Sequence, residues 1–247
     1  MGIAAQGSQY RFLDIIAAFL VAVLITSNVA SSAKIVDLGI TVFGFWGIPP
    51  VRLAFDGGTL LFPVAYVLGD VLTEVYGFKV TRRVIWTGFG ALALASLFFF
   101  VLSALPGEAV WEEHAGTAAY NAILGGMSSG GIALASLSAF LAGKFSNSII
   151  LSRLKVLMKG RALWVRVIGS SFVGHFLDSL VFVFVASLTG VFRWEIFASL
   201  VLTNYLFKAS IGALLFPPTL VAIRKLKKAE GIDTYDIGVR LNPFSWK

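Results

Sequence analysis

Three charged residues stand where charge is costly. Asp70, Asp178 and Lys208 each fall inside a long apolar stretch of the chain. At a rise of about 1.5 Å per residue, Asp70 lies roughly 13 Å from the end of its stretch marked by Lys79, and Asp178 roughly 18 Å from Arg166. Lys208 lies roughly 21 Å beyond Trp194. In a hydrocarbon layer about 30 Å thick these depths converge near the middle. A charge there costs at least a few kcal/mol, so it faces a bundle interior or a water-filled cavity and marks a pathway or a binding site. A carboxylate so placed accepts N–H groups from a solute; an ammonium donates to a carbonyl or balances the acids.

Further polar residues surround the three. Glu74 is one helical turn from Asp70 on the same face, and Asn204 is one turn before Lys208. Asn28 follows Thr26 and Ser27 in the first apolar stretch, and His175 is three residues before Asp178. The expected solute-binding set is Asp70, Glu74, Asp178, Lys208, Asn28 and Asn204. The competing reading is a buried ion pair of Lys208 with one Asp, holding the bundle together while the other Asp is protonated. A buried pair rarely adds stability over an apolar replacement, which counts against it. Glu74 has its own alternative, a pairing with Lys79 or Arg82 near the membrane surface, and His175 alone reads equally well as a helix-packing residue. Lys144, at the end of the fourth stretch, reads as a side chain that snorkels to the surface.

The composition demands a membrane around these residues. Of 247 residues 57% are hydrophobic and 13% charged, with a mean hydropathy of +0.86, whereas a soluble domain carries about a quarter charged residues. The net charge is +7, from 20 Lys+Arg against 13 Asp+Glu. Those basic residues cluster in short loops between apolar stretches, which points to membrane orientation and away from a nucleic-acid partner. The chain has no cysteine, which excludes disulfides and thiolate metal sites, and neither a metal nor a cofactor is expected.

Six stretches are long enough to span, at about 12–33, 59–77, 82–105, 118–143, 164–190 and 195–223. The fourth is expected to run on past the membrane through Ser146–Leu154. The fold class is therefore an all-α polytopic bundle of six transmembrane helices over residues 1–228, followed by a short polar tail, 229–247. The run before Arg11 is short and polar, and no small-residue cleavage site follows a brief apolar region, so the first stretch reads as a retained helix rather than a signal peptide. Lys79, Arg82 and Arg83 follow the second stretch; Arg153, Lys155, Lys159, Arg161 and Arg166 the fourth; Arg224, Lys225, Lys227 and Lys228 the sixth. This bias puts both termini in the cytoplasm. Between Lys34 and Gly58, β-branched runs around a Gly/Pro-rich turn predict a β-hairpin outside, either a surface cover or a cap over a solute entrance. Gly125-Gly126-Met127-Ser128-Ser129-Gly130-Gly131 predicts close helix approach or an unwound segment, and Pro217-Pro218 a break or kink.

Enzyme chemistry finds little support. Neither a Walker A sequence nor an HExxH pair is present. Val67-Leu68-Gly69-Asp70 approaches the GxGD of intramembrane aspartyl proteases but has Val67 at the first glycine, and a nearby lysine would disturb two carboxylates sharing a proton. Asp70 and Asp178 sit on stretches that cross in opposite directions, compatible with two inverted three-helix halves meeting at a midplane site.

Three segments resemble a known family. Leu68-Gly69-Asp70-Val71-Leu72-Thr73-Glu74-Val75-Tyr76-Gly77 with Arg82-Arg83, Ile168-Gly169-Ser170-Ser171-Phe172-Val173-Gly174-His175-Phe176-Leu177-Asp178-Ser179, and Asn204-Tyr205-Leu206-Phe207-Lys208 occur in this order. Together with Pro217 and Leu226-Lys227-Lys228-Ala229-Glu230 they resemble the queuosine precursor transporter, or vitamin uptake transporter, family over almost the whole chain. The resemblance implies an inner-membrane importer of cyano- and aminomethyl-deazaguanine, with His175 at a variable position. Its partners would be the deazapurine and the lipid bilayer, with a homodimer left open. A deazaguanine presents an N–H beside an amino group, which a carboxylate of Asp70, Glu74 or Asp178 can accept together; Asn28, Asn204 or Lys208 could donate to the ring carbonyl, and Phe62, Tyr66, Trp86 or Phe182 stack on the ring. The alternative is a membrane-embedded binding subunit of a multi-component importer, and the remote one an intramembrane aspartyl protease.

Overall fold

The computed structural model describes residues 10–42 and 51–245. The polar lead before Tyr10 and the Gly/Pro-rich turn at 44–50 lie outside the described residues. Among the described residues eight α-helices follow one another as α1 (Leu13–Ala33), α2 (Phe62–Tyr76), α3 (Phe78–Ser103), α4 (Ala109–His114), α5 (Gly116–Ser128), α6 (Gly130–Leu157), α7 (Leu163–Leu188) and α8 (Phe197–Glu230). Strands β1 (Ile35–Val42) and β2 (Val51–Asp56) stand between α1 and α2 and pair antiparallel, with Ile35 opposite Asp56 and Val42 opposite Val51.

Among the described residues, five helical segments are long and apolar enough to cross a membrane by length and composition: Leu13–Ala33, Phe78–Ser103, Gly116–Leu157, Leu163–Leu188 and Trp194–Glu230. The second expected span differs. It forms a short 3-10 turn, Gly57–Leu60, and then α2 of 15 residues, about 22 Å long. Pro63 sits in its first turn, and Gly77 at φ +80° ends it. Every residue from Gly69 to Tyr76 is buried. α2 is therefore the axis of the bundle, touching α1, α3, α6 and α8, and Leu72, Val75 and Tyr76 sit in the same core as Leu20, Leu24, Ile85 and Ile223. A helix enclosed on all sides is shielded along its length by protein, so a short one suffices.

The glycine-rich segment breaks the fourth span. α5 ends at Ser128, Ser129 is extended (φ −74°, ψ 123°), and α6 starts at Gly130 and runs to Leu157. Pro217 and Pro218 do not break the last span; both lie inside a continuous α8. Each removes one backbone donor, but in an apolar medium the remaining helical bonds have no water to exchange with. Thr219 adds its hydroxyl to the carbonyl of Leu215 at 2.7 Å.

α6 and α7 meet at two glycines. A Cβ on Gly143 would lie 2.7 Å from Cβ of Asp178 and 2.8 Å from the Tyr66 hydroxyl, and one on Gly174 would lie 2.9 Å from Cβ of Asn147. The missing side chains let two helix backbones approach closely enough to bring Tyr66, Asn147 and Asp178 to one level.

The segment after α8 packs against the bundle. Asp236 accepts the Phe78 N–H at 3.0 and 2.9 Å, capping the start of α3, and takes the Ser152 hydroxyl at 2.7 Å. Arg82 donates to the carbonyl of Asn242 and Trp86 to that of Pro243, both at 2.9 Å. At the other junction Glu230 caps α1 through the N–H groups of Arg11 and Phe12, at 3.0 and 2.8 Å. The carboxylates of Asp236 and Glu230 are thus partners that helix ends need, and the tail carbonyls accept from side chains of α3.

Candidate functional site

One face of α2 carries Pro63, Tyr66, Val67 and Asp70, spaced by the three- and four-residue steps that align side chains on a helix. The same spacing on α7 aligns Val167, Ile168, Ser171, Phe172 and His175, and α8 contributes Gly212, Phe216 and Thr219. These three faces enclose a cavity of about 90 Å³. Asp70 is its one formally charged lining residue.

Neutral donors hold Asp70. Asn147 of α6 donates its amide N–H to Oδ1 at 2.6 Å, and Ser171 of α7 donates its hydroxyl to Oδ2 at 3.1 Å. A carboxylate has about four acceptor positions, and these two bonds use one on each oxygen. The Tyr66 ring packs against that of His175, with centroids 4.1 Å apart. Among the described residues the Tyr66 hydroxyl, His175 Nδ1 and Asn147 Oδ1 are buried with no hydrogen-bond partner. A buried polar atom left so costs about 1–3 kcal/mol, and three such atoms around one acid mark a place where a polar molecule completes the network.

Asp178 and Lys208 lie just beyond the cavity and pair with each other, and the Lys208 ammonium stands 4.6 Å from the centre of the Phe62 ring. Lys144 does not snorkel. Its ammonium is buried, donates to the carbonyl of Ala65 at 2.7 Å and lies 3.7 Å over the Tyr66 ring. α6 runs on to Leu157, close to the expected continuation through Leu154, and its packing against α2 leaves Lys144 inside the bundle.

Glu74 is placed elsewhere, away from the cavity wall. It takes a bidentate pair from Arg166 at 2.5 and 3.1 Å and the Lys227 ammonium at 2.8 Å, with Lys155 at 3.7 Å. Its expected partners Lys79 and Arg82 are not among these. Lys155 also donates to the Glu74 carbonyl at 2.6 Å and to Asp233 at 2.6 Å. Partial burial works against the charge of Asp233, but hydrogen bonds from Lys155 and Lys227 outweigh it and hold that carboxyl below its ordinary range. Each helix that lines the cavity contributes one residue to this cluster: Glu74 from α2, Arg166 from α7 and Lys227 from α8.

The remaining expected residues stand apart. Asn28 turns its amide back to the carbonyl of Leu24 at 2.8 Å, on its own helix. Asn204 is on α8 one turn before Lys208, and neither asparagine lines the cavity. Of the stacking candidates, Phe62 and Tyr66 are at the site; Trp86 packs with Phe89, Phe145 and Phe244, and Phe182 with Phe192. The residues that sequence reasoning did not single out are Asn147, on the continuation of the fourth stretch expected past the membrane, and Thr219. Ser171 falls within the resembling segment Ile168–Ser179 and carried no role there.

The two acids do not form a protease dyad, since Asp70 and Asp178 each have their own partners on different helices. No group of three potential metal ligands occurs among the described residues. A multi-span bundle with a small, mostly apolar cavity that carries one buried carboxylate is compatible with a membrane transporter.

A family model described as "Putative vitamin uptake transporter" matches residues 56–222, and the chain belongs to that family. The queuosine precursor transporter of Escherichia coli (strain K12) is 26% identical over 223 residues, covering 88% of this chain and 89% of the relative. The probable queuosine precursor transporter of Haemophilus influenzae is 28% identical, covering 69% of this chain and 71% of the relative. The corresponding protein of Bacillus subtilis is 26% identical, covering 70% and 73%. No solved structure matches the chain. All three relatives are named as transporters and none as an enzyme.

Proposed function

We propose that this chain imports queuosine precursors, cyano- and aminomethyl-deazaguanine, across an inner membrane through the cavity between α2, α7 and α8. The observation that carries the reading is Asp70: a buried carboxylate on the cavity wall, steadied by Asn147 and Ser171. The adjacent N–H and amino groups of a deazaguanine supply two parallel donors to one carboxylate, the geometry of the stronger charge-assisted pairs. Tyr66 and Phe172 offer flat apolar contact to the ring. The relatives' names support the choice of substrate.

In this reading α2 is the sixth crossing, the basic loops and both termini face the cytoplasm, and the Glu74 cluster ties the three cavity helices together on that side. Passage inward then requires Glu74, Arg166 and Lys227 to separate, while Lys208 and Asp178 change partners as the helices move.

Purified chain in liposomes is expected to take up labelled precursor with saturation, and excess unlabelled precursor to compete. Uptake only when a separate ATP-hydrolysing partner is added would instead make the chain a binding subunit. Correctly folded protein that neither binds nor moves a deazaguanine would refute the substrate assignment.

A further inference from the structure

Lys155, Lys208 and Lys227 each have a carboxylate within ion-pair distance. Lys144 is different. It is 2% exposed, and its ammonium rests on the Ala65 carbonyl and the Tyr66 ring, with no carboxylate of the described residues in contact. It also stands at the centre of the site. Asp70 of α2 and Asp178 of α7 act on it through space, and together with Lys208 of α8 it acts on the ring of His175. Tyr66, whose ring lies under the ammonium, has a buried hydroxyl with no hydrogen-bond partner, and Tyr66, Asp70 and His175 all line the cavity. The passage proposed for the solute gives Lys144 no part.

We infer that Lys144 is a proton site and that one proton enters with each solute molecule, so that the pH difference across the membrane drives uptake. Unlike arginine, a lysine gives up its proton inside a protein. As an amine, Lys144 keeps an N–H for the Ala65 carbonyl and needs no acid. As an ammonium taken out of water it is costly unless negative charge compensates it, and here that charge comes through space from Asp70 and Asp178. The solute closes the linkage. A deazaguanine that donates two N–H groups to Asp70 binds it as an anion, and an anion at Asp70 attracts a proton to Lys144. By reciprocity, a proton on Lys144 favours the seated solute. The two therefore load together from the side to which the cavity is open and leave together on the other. The proton comes from water and returns to water, and no bond of the solute is made or broken. This deepens the proposed function and rests on the reading that the chain carries deazaguanines.

The test places the full chain in liposomes with labelled cyano-deazaguanine, whose substituent carries no charge. Valinomycin with equal potassium on both sides holds the membrane potential at zero. With the outside more acidic by about one pH unit, one proton per solute sets a steady-state ratio, inside over outside, of about ten, against about one at equal pH. A pH-sensitive dye enclosed in the liposomes should report acidification when solute is added. Lys144→Gln has no proton to carry, and Lys144→Arg keeps the charge but does not release it. Either variant, where it still exchanges labelled for unlabelled precursor, is expected to settle near about one. A ratio of about one in wild-type protein that does exchange precursor would overturn the inference, without any variant needing to fold and with the substrate reading intact. A ratio near about ten kept by both variants would overturn Lys144 as the proton site. If folded wild-type protein neither binds nor exchanges the precursor, the deazaguanine reading itself fails, and this inference with it.

Discussion

Glu74→Gln is expected to lower the thermal unfolding midpoint of the purified protein by about 10 °C, the largest stability effect of any single substitution in the helices. The carboxylate is fully buried and is shared by Arg166, Lys227 and Lys155. Glutamine keeps the shape but removes the charge, leaving buried cations facing one another. Breaking a buried ion pair from one side costs about 3–5 kcal/mol, and at this chain length each kcal/mol moves the midpoint by about 2–4 °C. The double variant Glu74→Gln with Arg166→Gln removes a charge of each sign and should recover part of the loss. Tryptophan fluorescence on heating reads both, since the chain has 6 tryptophans. A shift below about 2 °C in the single variant would show that the cluster does not tie α2, α7 and α8 together.

Asp178→Asn is expected to reduce precursor uptake at least about tenfold with a smaller loss of stability. Only one cation is orphaned, and the Lys208 side chain keeps 21% of its surface exposed, so its charge is partly solvated. The informative comparison is Asp178→Asn with Lys208→Gln. If the pair merely held the bundle together, a neutral pair would restore both stability and uptake, because replacing a buried pair is often neutral. The proposed exchange of partners during transport predicts otherwise: stability returns and uptake does not. Uptake in liposomes, normalised to folded protein, separates the two.

Much of this was legible from residue types. Apolar length located the long helices, and the rule that membrane charge is expensive pointed to Asp70, Asp178 and Lys208 before any contact was known. The residues that sequence reasoning misplaced share a physical cause. Helical periodicity says which residues share a face, but not which face meets a neighbour. Glu74 and Asp70 are one turn apart on α2 and look alike in sequence, yet one turn further along, Arg166 and Lys227 arrive from two other helices. Lys144 was assigned to the surface because the continuation through Leu154 was expected to lie past the membrane, whereas that part of α6 packs against α2 and carries Lys144 and Asn147 into the bundle. The fold's tolerance of Pro217 and Pro218 was equally invisible, because it depends on the surroundings of α8 and not on the two residues themselves. Nor does composition reveal that the polar tail supplies Asp236 as the cap of α3.

The most direct measurement of the central claim uses the absence of cysteine from the chain. Phe216→Cys places one thiol on the cavity wall; Leu214→Cys, two residues before it on α8, places one on the outer surface, where the native side chain is 75% exposed. Each variant is treated with a maleimide with and without saturating aminomethyl-deazaguanine. A solute seated between α2, α7 and α8 should slow labelling at position 216 by about tenfold, with the concentration dependence of binding itself, and leave position 214 unchanged. Unaltered labelling at 216 while the precursor is demonstrably bound would place the solute elsewhere and contradict the account.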